Sequence, residues 1–486
     1  MKLLSFKSQS GVQYIYNDDT GLIFKSNPLL ENMLMDSKEE IDALKKEYSS
    51  YEYDYYDRFT SKVKSLISQS RQSGNLEFSE ADIEDYQDKY GFTELVFKMT
   101  GKCNLRCKYC FYSDHYSETV TYDDGEMTLD TGIKAIDIFM KHFIVGNKRY
   151  PEKQPIFAFY GGEPLMNNDV LVGLCNYITD NYSAYKPQFT ITTNGLLLSK
   201  KEICDFLIEK NFWICISIDG NKEEHDRNRI DLNGEGSFDG IIRAIDENLK
   251  GYSDIYAIAC YDFGTNFSNV EEFFKTHNIP MIRYSAINSE DTTYYDQFSE
   301  EERHTYFKRM NEIMVKYKED ASNNRPISGY INYLAGQTLF QVYDRGKFVK
   351  ASGFFDHHTR TCIPGQKIYV DTDGSFHACE KINPNFEIGN VKEGVDYKKI
   401  KRIVKDYNHS VLSKCKTCTI SRICNTCYVN ASKDSDFIIK SDECNMKILS
   451  AKETLRNVVD IEEKNPVFFE KKFIKKTYDS QFKMTY

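Results

Sequence analysis

No apolar run in the sequence approaches the roughly 20 residues that a membrane-spanning helix needs, so a membrane span is not expected. The opening Met1-Lys2-Leu3-Leu4-Ser5-Phe6 is too short an apolar stretch before Lys7 for a signal peptide, and the expectation is a cytoplasmic protein. Excess positive charge is missing as well: 63 Lys and Arg against 73 Asp and Glu give a formal net charge of -10. That balance argues against nucleic acid or an anionic membrane as a general partner, although a local basic patch stays compatible with it. Internal repeats and low-complexity tracts are also absent, which excludes a repeat architecture. The 486 residues leave room for two or three domains and a sizeable core.

Cysteine, by contrast, is plentiful. Fourteen cysteines in a chain this long are too dispersed for a small disulfide scaffold, and ten of them fall into dense groups with short spacings, which points to metal. Oxygen-sensitive clusters would need a reducing compartment and an at least partly anaerobic host. The first group is Cys103-Asn104-Leu105-Arg106-Cys107-Lys108-Tyr109-Cys110, just after the apolar Leu95-Val96-Phe97 and before Phe111 and Tyr112. A four-iron cluster needs four ligands, so three thiolates leave one iron open to a small molecule. The alternative is a zinc site completed by His115, but a closed zinc site normally uses paired Cys-x2-Cys or Cys/His knuckles, which this spacing does not supply.

Between about residues 94 and 288, strand-like runs alternate with amphipathic segments. The strands are expected at 94–100, 156–160, 189–193, 212–218, 255–261 and 281–286, and helices at 131–143, 171–182, 200–210 and 238–249. Six βα repeats imply an α/β fold with parallel strands and helices outside, and six rather than eight imply an open, partial barrel. Its functional face would lie at the strand C-terminal ends, where the cysteine run falls. Residues 1–90 read as a β-hairpin turning at Asp18-Asp19-Thr20-Gly21, followed by acidic, tyrosine-rich helices from about 29 to 69. This suits either a winged-helix-like peptide-binding module or a helical cap on the barrel. Domains are expected at 1–90, 91–290 (barrel), 291–350 (helical connector), 351–450 (cysteine-rich) and 451–486 (tail).

Polar groups cluster at the expected strand ends. Tyr160-Gly161-Gly162-Glu163-Pro164-Leu165 follows the second strand; its glycines would let backbone approach a ligand, and Glu163 supplies a carboxylate acceptor. Thr192-Thr193-Asn194-Gly195 and Ser217-Ile218-Asp219-Gly220 end the third and fourth strands, and alternation places Cys215, Ser217 and Asp219 on one face. Arg229 follows in His225-Asp226-Arg227-Asn228-Arg229. Singly each is an ordinary turn or surface residue, and their shared location is what raises them. Cys175, Cys204, Cys215 and Cys260 read as buried small hydrophobes. A second cysteine region comprises Cys362, Cys379, Cys415, Cys418, Cys424, Cys427 and Cys444, which could serve two zinc ions or two clusters.

The Cys-x3-Cys-x2-Cys run with Tyr109 before its last cysteine resembles the signature of radical S-adenosylmethionine (SAM) enzymes. The resemblance implies that the open iron chelates the methionine moiety of SAM and that its reductive cleavage releases a 5′-deoxyadenosyl radical. It implies a pocket for that cofactor built from Tyr109, Gly161, Gly162, Glu163, Thr193, Asn194, Ser217, Asp219 and Arg229, with Glu163 toward the ammonium and Arg229 toward the carboxylate. The second region, with its Gly374-Ser375-Phe376-His377-Ala378-Cys379 element, resembles the SPASM extension. That implies three [4Fe-4S] clusters in all: Cys415, Cys418, Cys424 and Cys444 on an outer auxiliary cluster, and Cys362, Cys379 and Cys427 on an inner one. The inner set's fourth ligand would be His357, His358 or a substrate thiolate. The two residues between Cys424 and Cys427, where the family usually has three, put that ligand set in question. As a whole the chain resembles sactipeptide and ranthipeptide synthases, which implies thioether formation in a cysteine-containing precursor peptide whose leader is held by the N-terminal module. It implies a reduced flavodoxin- or ferredoxin-type electron donor. Carbon-carbon cross-linking, epimerisation and formylglycine formation on a sulfatase use the same machinery, and an iron-sulfur sensor or scaffold is the non-enzyme alternative.

Overall fold

The computed structural model describes residues 1–70, 81, 83–86, 91–116, 122–277, 279–289, 292–345, 364 and 366–470. Cys362, His357 and His358 lie outside the described residues, as does the expected boundary at 350. Among the described residues no helix is long and apolar enough to cross a membrane.

Six strands, β4 (Glu94–Lys98), β5 (Ile156–Tyr160), β6 (Gln188–Thr193), β7 (Trp213–Ser217), β8 (Ile255–Tyr261) and β9 (Met281–Ala286), lie side by side in sequence order and pair in parallel. Between them run helices Leu129–Asn147, Asn168–Tyr182, Lys201–Glu209, Phe238–Asn248 and Phe267–His277. Alternation splits each strand in two. Leu95, Phe97, Phe157, Phe159, Phe189, Ile191, Ile214 and Ile216 join the helices' apolar faces in the main core. The opposite parity, including Tyr160, Thr192, Ser217 and Cys260, lines a central cavity.

The expected barrel begins at β4, but β4 is not an edge. β10 (Lys367–Val370) pairs with it in parallel, Lys367 opposite Glu94, and β11 (Ser375–His377), β12 (Glu387–Asn390) and β13 (Gly394–Val395) continue antiparallel to complete a ten-stranded mixed sheet. Burying β4 on both sides explains its charged ends. Lys98 is 2% exposed and is held by Asp123 (2.7 Å) and Asp371 (3.0 Å); unpaired, a buried ammonium would be costly.

The N-terminal region is a three-stranded antiparallel sheet, β1 (Leu3–Lys7), β2 (Gln13–Asn17) and β3 (Leu22–Lys25), followed by helices Pro28–Met35, Lys38–Leu44 and Ser50–Ser70. The expected hairpin is present as β2 and β3, with β1 added at its side. One sheet face, with Ile15, packs on Leu30, Leu34, Val63 and Ile67. The other, with Phe6, Tyr14 and Tyr16, packs on Tyr317, Leu339, Leu455 and Val458. The expected break at 450 falls inside helix Ser441–Lys464, whose later turns are buried in that second core rather than trailing as a tail.

The β2–β3 turn also plugs into the second cysteine region. Asp18, 2% exposed, accepts the Arg422 N–H (2.9 Å) and the Ser421 hydroxyl, while Lys2 Nζ donates to Cys415 O (3.1 Å) and Ser421 Oγ (3.2 Å). Residues some 400 apart in sequence are thus stitched together by buried, charge-assisted hydrogen bonds.

Candidate active site

The cysteine loop leaves the C-terminal end of β4 and is held from two sides. On one, Gly162 N–H donates to Thr100 O (2.8 Å) and Glu163 N–H to Lys102 O (2.9 Å). On the other, Arg106 N–H donates to Ile230 O (2.7 Å) and Lys108 N–H to Asn228 O (3.0 Å). A Cβ on Gly162 would stand 2.1 Å from Lys102 O, and one on Gly161, at φ +131°, 2.6 Å from Thr100 O. Both glycines line the cavity, yet the approach that requires them is to the backbone of residues 100–102. Their expected role beside a ligand is therefore joined by a structural one: they seat the cysteine loop.

Cys103, Cys107 and Cys110 line this cavity together with Tyr109. So do Gly161, Gly162, Thr193, Asn194, Ser217 and Arg229. Burial pushes the thiols of Cys103 and Cys107 up to about 12 and that of Cys110 upward, and the three oppose one another's ionisation. Such thiols ionise only with positive charge among them, so the donor set fits a metal cluster. Among the described residues no three His, Cys, Asp or Glu side chains converge tightly enough for a single metal ion. Thiolates on separate irons of a cluster stand further apart than ligands on one ion, so this bears on the zinc alternative alone. His115, its suggested fourth ligand, instead bonds Thr293 Oγ1 through Nδ1 (2.9 Å).

Glu163 and Asp219 are present but already engaged. The Glu163 carboxylate, 1% exposed, accepts from Leu165 N–H (3.2 Å), Thr193 Oγ1 (2.7 Å) and Asn194 N–H (2.8 Å), tying the β5 turn to the end of β6. Burial pushes its carboxyl up to about 7 against those bonds. Asn194 Nδ2 reaches Asn104 Oδ1 (2.7 Å) within the cysteine loop. Asp219 accepts from Tyr109 OH (2.5 Å), Cys260 N–H (2.9 Å), and Arg229 Nε (2.9 Å) and Nη2 (3.1 Å). The expectation that Arg229 faces a free carboxylate is corrected to that extent: two of its nitrogens belong to Asp219. Both groups are buried, and two desolvated opposite charges on adjoining loops pair with each other. The Arg229 carbonyl is held by Ser237 Oγ (3.0 Å), which bonds His225 Nε2 (2.9 Å). Burial holds that imidazole down at about 3, hence neutral.

In the second cysteine region, burial and the mutual repulsion of Cys418, Cys424 and Cys444 push the Cys415 thiol up to about 12, so these four lie within electrostatic reach of one another. Of the other two, Cys379 Sγ is against Glu380 (3.4 Å), and Cys427 Sγ against Asn430 Oδ1 (3.1 Å). Two residues beyond each, Lys381 and Val429 reach the central cavity. Sequence reasoning missed Cys260, Arg283, Ser285 and Lys381 as lining residues, whereas Thr192, singled out with the strand-end polar groups, does line the cavity. The signal for one was available, since an arginine inside Met281-Ile282-Arg283-Tyr284 interrupts an apolar strand.

Residues 97–276 match the profile of the Radical SAM superfamily. The chain carries a radical SAM domain, an α/β fold with a mixed sheet that implies SAM and a four-iron cluster as cofactors. It is similar to the cysteine-type anaerobic sulfatase-maturating enzyme of Clostridium novyi, at 25% identity over 348 residues, 68% of this chain and 86% of the relative. It is also similar to the radical SAM cyclopropyl synthase TigE of Paramaledivibacter caminithermalis, at 23% identity over 310 residues, 61% of this chain and 59% of TigE. Its fold resembles that of anSMEcpe solved with bound AdoMet, with a TM-score of 0.55 at 21% identity over 76% of this chain and 99% of that one.

Proposed function

We propose that the protein is a radical SAM peptide maturase that installs thioether bonds, from a cysteine sulfur to a carbon of another residue, in a ribosomally made precursor peptide. The observation carrying this reading is that Lys381 and Val429, neighbours of Cys379 and Cys427, line the same cavity as Cys103, Cys107 and Cys110. A substrate there lies between the cysteine loop and the second cysteine region.

In this reading Cys103, Cys107 and Cys110 hold a four-iron cluster that, with SAM, supplies a 5′-deoxyadenosyl radical able to take hydrogen from an unactivated carbon. Tyr109, Gly161, Gly162, Thr193, Asn194 and Ser217 wall the cofactor. Glu163 fixes the β5 and β6 turns, and Asp219 orients Arg229, whose remaining Nη1 is left to the cofactor carboxylate. Cys362, Cys379 and Cys427 hold an inner auxiliary cluster with a position for the peptide thiolate, and Cys415, Cys418, Cys424 and Cys444 hold an outer one; coordination would deprotonate the thiol without a separate base. Each bond formed removes one hydrogen from carbon and one from sulfur. Residues 1–90 take the leader. Among the described residues β3 pairs only with β2, and its other edge suits an added peptide strand. A reduced flavodoxin or ferredoxin supplies electrons.

A second reading, formylglycine formation on a sulfatase cysteine, is favoured by the Clostridium novyi relative. That match covers 68% of this chain and 86% of the relative and fits both readings; the first is put forward because it also gives residues 1–90 a role, in holding a leader. The test is anaerobic reconstitution followed by reaction with dithionite, SAM and a cysteine-containing precursor encoded beside the gene. The expected product has lost two hydrogens per bond and its thiols resist alkylation. Product cysteines that still alkylate would sink the thioether claim, and an aldehyde formed on a sulfatase peptide would establish the second reading.

A further inference from the structure

Among the described residues, two exposed cations that line the central cavity have no ion-pair partner. Arg283 sits mid-strand in β9, opposite Ile258 of β8, and Lys381 follows Cys379. Both line the cavity, and among the described residues neither side chain has an ion pair or hydrogen bond; Lys381 Nζ stands 6.0 Å from the Phe111 ring centroid. The nearby acids are engaged elsewhere. Asp219 is tied to Arg229, Glu163 is buried beneath three donors, and Glu380 pairs with Lys367 at 3.1 Å, the adjacent Lys381 acting on it without forming an ion pair. Arg283 and Lys381 share the lining of one cavity with Cys260, at the end of β8, and both charges reach its thiol, as do those of Asp219 and Arg229. Arg283 also acts on Cys215 and Tyr160, which places its charge inside the ring of parallel strands.

A planar guanidinium and a flexible ammonium facing one space suit a carboxylate, the first by its bidentate fork and the second as a point charge. We propose that Arg283 and Lys381 form a carboxylate-binding pair that selects a substrate peptide with an acidic side chain beside the reacting residue. The inference rests on the peptide-maturase reading and narrows its substrate class. A carboxylate could also come from SAM itself. Arg229, nearer the cysteine loop through Asn228 and Ile230, is the cation assigned to that group, which leaves Arg283 and Lys381 for the peptide.

The test uses reconstituted holoenzyme and a dye-labelled synthetic hexapeptide, Gly-Ser-Asp-Gly-Cys-Gly, with its Asn counterpart. Wild type is expected to bind the Asp form about ten-fold more tightly at moderate salt, as one charge-assisted pair allows. That ratio should fall toward unity in Arg283→Gln and in Lys381→Gln, and recover in part in Arg283→Lys. Equal wild-type affinity for the two peptides overturns the proposal without any variant having to fold, and so does an unchanged ratio in both Gln variants. A second arm compares SAM with decarboxylated SAM. If Arg283→Gln abolishes the preference for the carboxylated form, the cation serves the cofactor and the proposal fails. Absence of 5′-deoxyadenosine from wild type with dithionite and SAM would refute the radical reading itself, whereas its formation without Asp preference would refute only this pair.

Discussion

Gly162→Ala should unseat the cysteine loop. The new Cβ would stand 2.1 Å from Lys102 O and 2.6 Å from the Lys102 carbonyl carbon. Even a close C···O contact needs about 3.3 Å, so the backbones must part by about 1.2 Å. They cannot do so freely, because Gly162 N–H to Thr100 O and Glu163 N–H to Lys102 O are the bonds that join them at that point. Losing both costs about 2 kcal/mol, and residual overpacking adds about 1–3 kcal/mol. The lower entropy of an unfolded alanine offsets about 0.4–1 kcal/mol. A net loss of about 2–5 kcal/mol, centred one residue from Cys103, should appear as incomplete iron at the first site. Iron and sulfide counts after anaerobic reconstitution, 5′-deoxyadenosine yield and urea unfolding of the same preparations read this out. Gly329→Ala is the control: nothing lies within 4 Å of its Cβ, so stability and cluster content should stay at wild-type level. A Gly162→Ala protein with full iron and wild-type 5′-deoxyadenosine yield would refute the close-approach argument.

The Glu163 carboxyl is pushed up to about 7 by burial from an unfolded value of 4.5. The fold therefore favours its protonated form, and the stability this confers is present below pH 4.5 and lost as pH rises to about 7. The span is about 3 kcal/mol. Thermal unfolding of wild type and Glu163→Gln should consequently differ in their pH slopes across that window, and parallel slopes would contradict the shift. Asp219→Asn leaves the Arg229 guanidinium buried without its counter-charge, a loss of about 3–5 kcal/mol. It should weaken SAM affinity measured by equilibrium dialysis, whereas unchanged stability and affinity would show the pair to be dispensable. Lys2→Met removes the ammonium that joins Cys415 O, Ser421 Oγ and Asp18. Hydrogen exchange should accelerate in residues 16–21 and 415–424 while residues 188–193 stay protected. Uniform exchange across all three segments would separate the N-terminal region from the second cysteine region.

The parallel strands were legible because each is a short apolar run flanked by helix-period segments, a signal carried locally. β1 was not, since Leu3–Lys7 is short and finds its partner only through pairing with β2. The interior position of β4 was equally hidden: its outer neighbour, Lys367–Val370, lies 273 residues away, and no local pattern announces such a pairing. Glu94 and Lys98 look like ordinary strand ends until the sheet buries them. In the site, residue types and strand-end positions were readable, but partners were not. Nothing in Ser217-Ile218-Asp219-Gly220 says that its carboxylate will be taken by Arg229, Tyr109 and the Cys260 amide.

The sequence by itself determined the spacing of Cys103, Cys107 and Cys110, and with it the number of thiolates one loop can offer a cluster, because ligand count and spacing are local properties of the chain. Only the tertiary structure decided which charges face the cavity without a partner. Asp219 with Arg229, and Glu380 with Lys367, are neutralised by neighbours that folding brings together, whereas Arg283 and Lys381, both exposed, have no ion pair among the described residues. A buried ion such as Asp219 or Arg229 depends for its energy on what shares its desolvated surroundings, and those surroundings come into being only when the strands pack together.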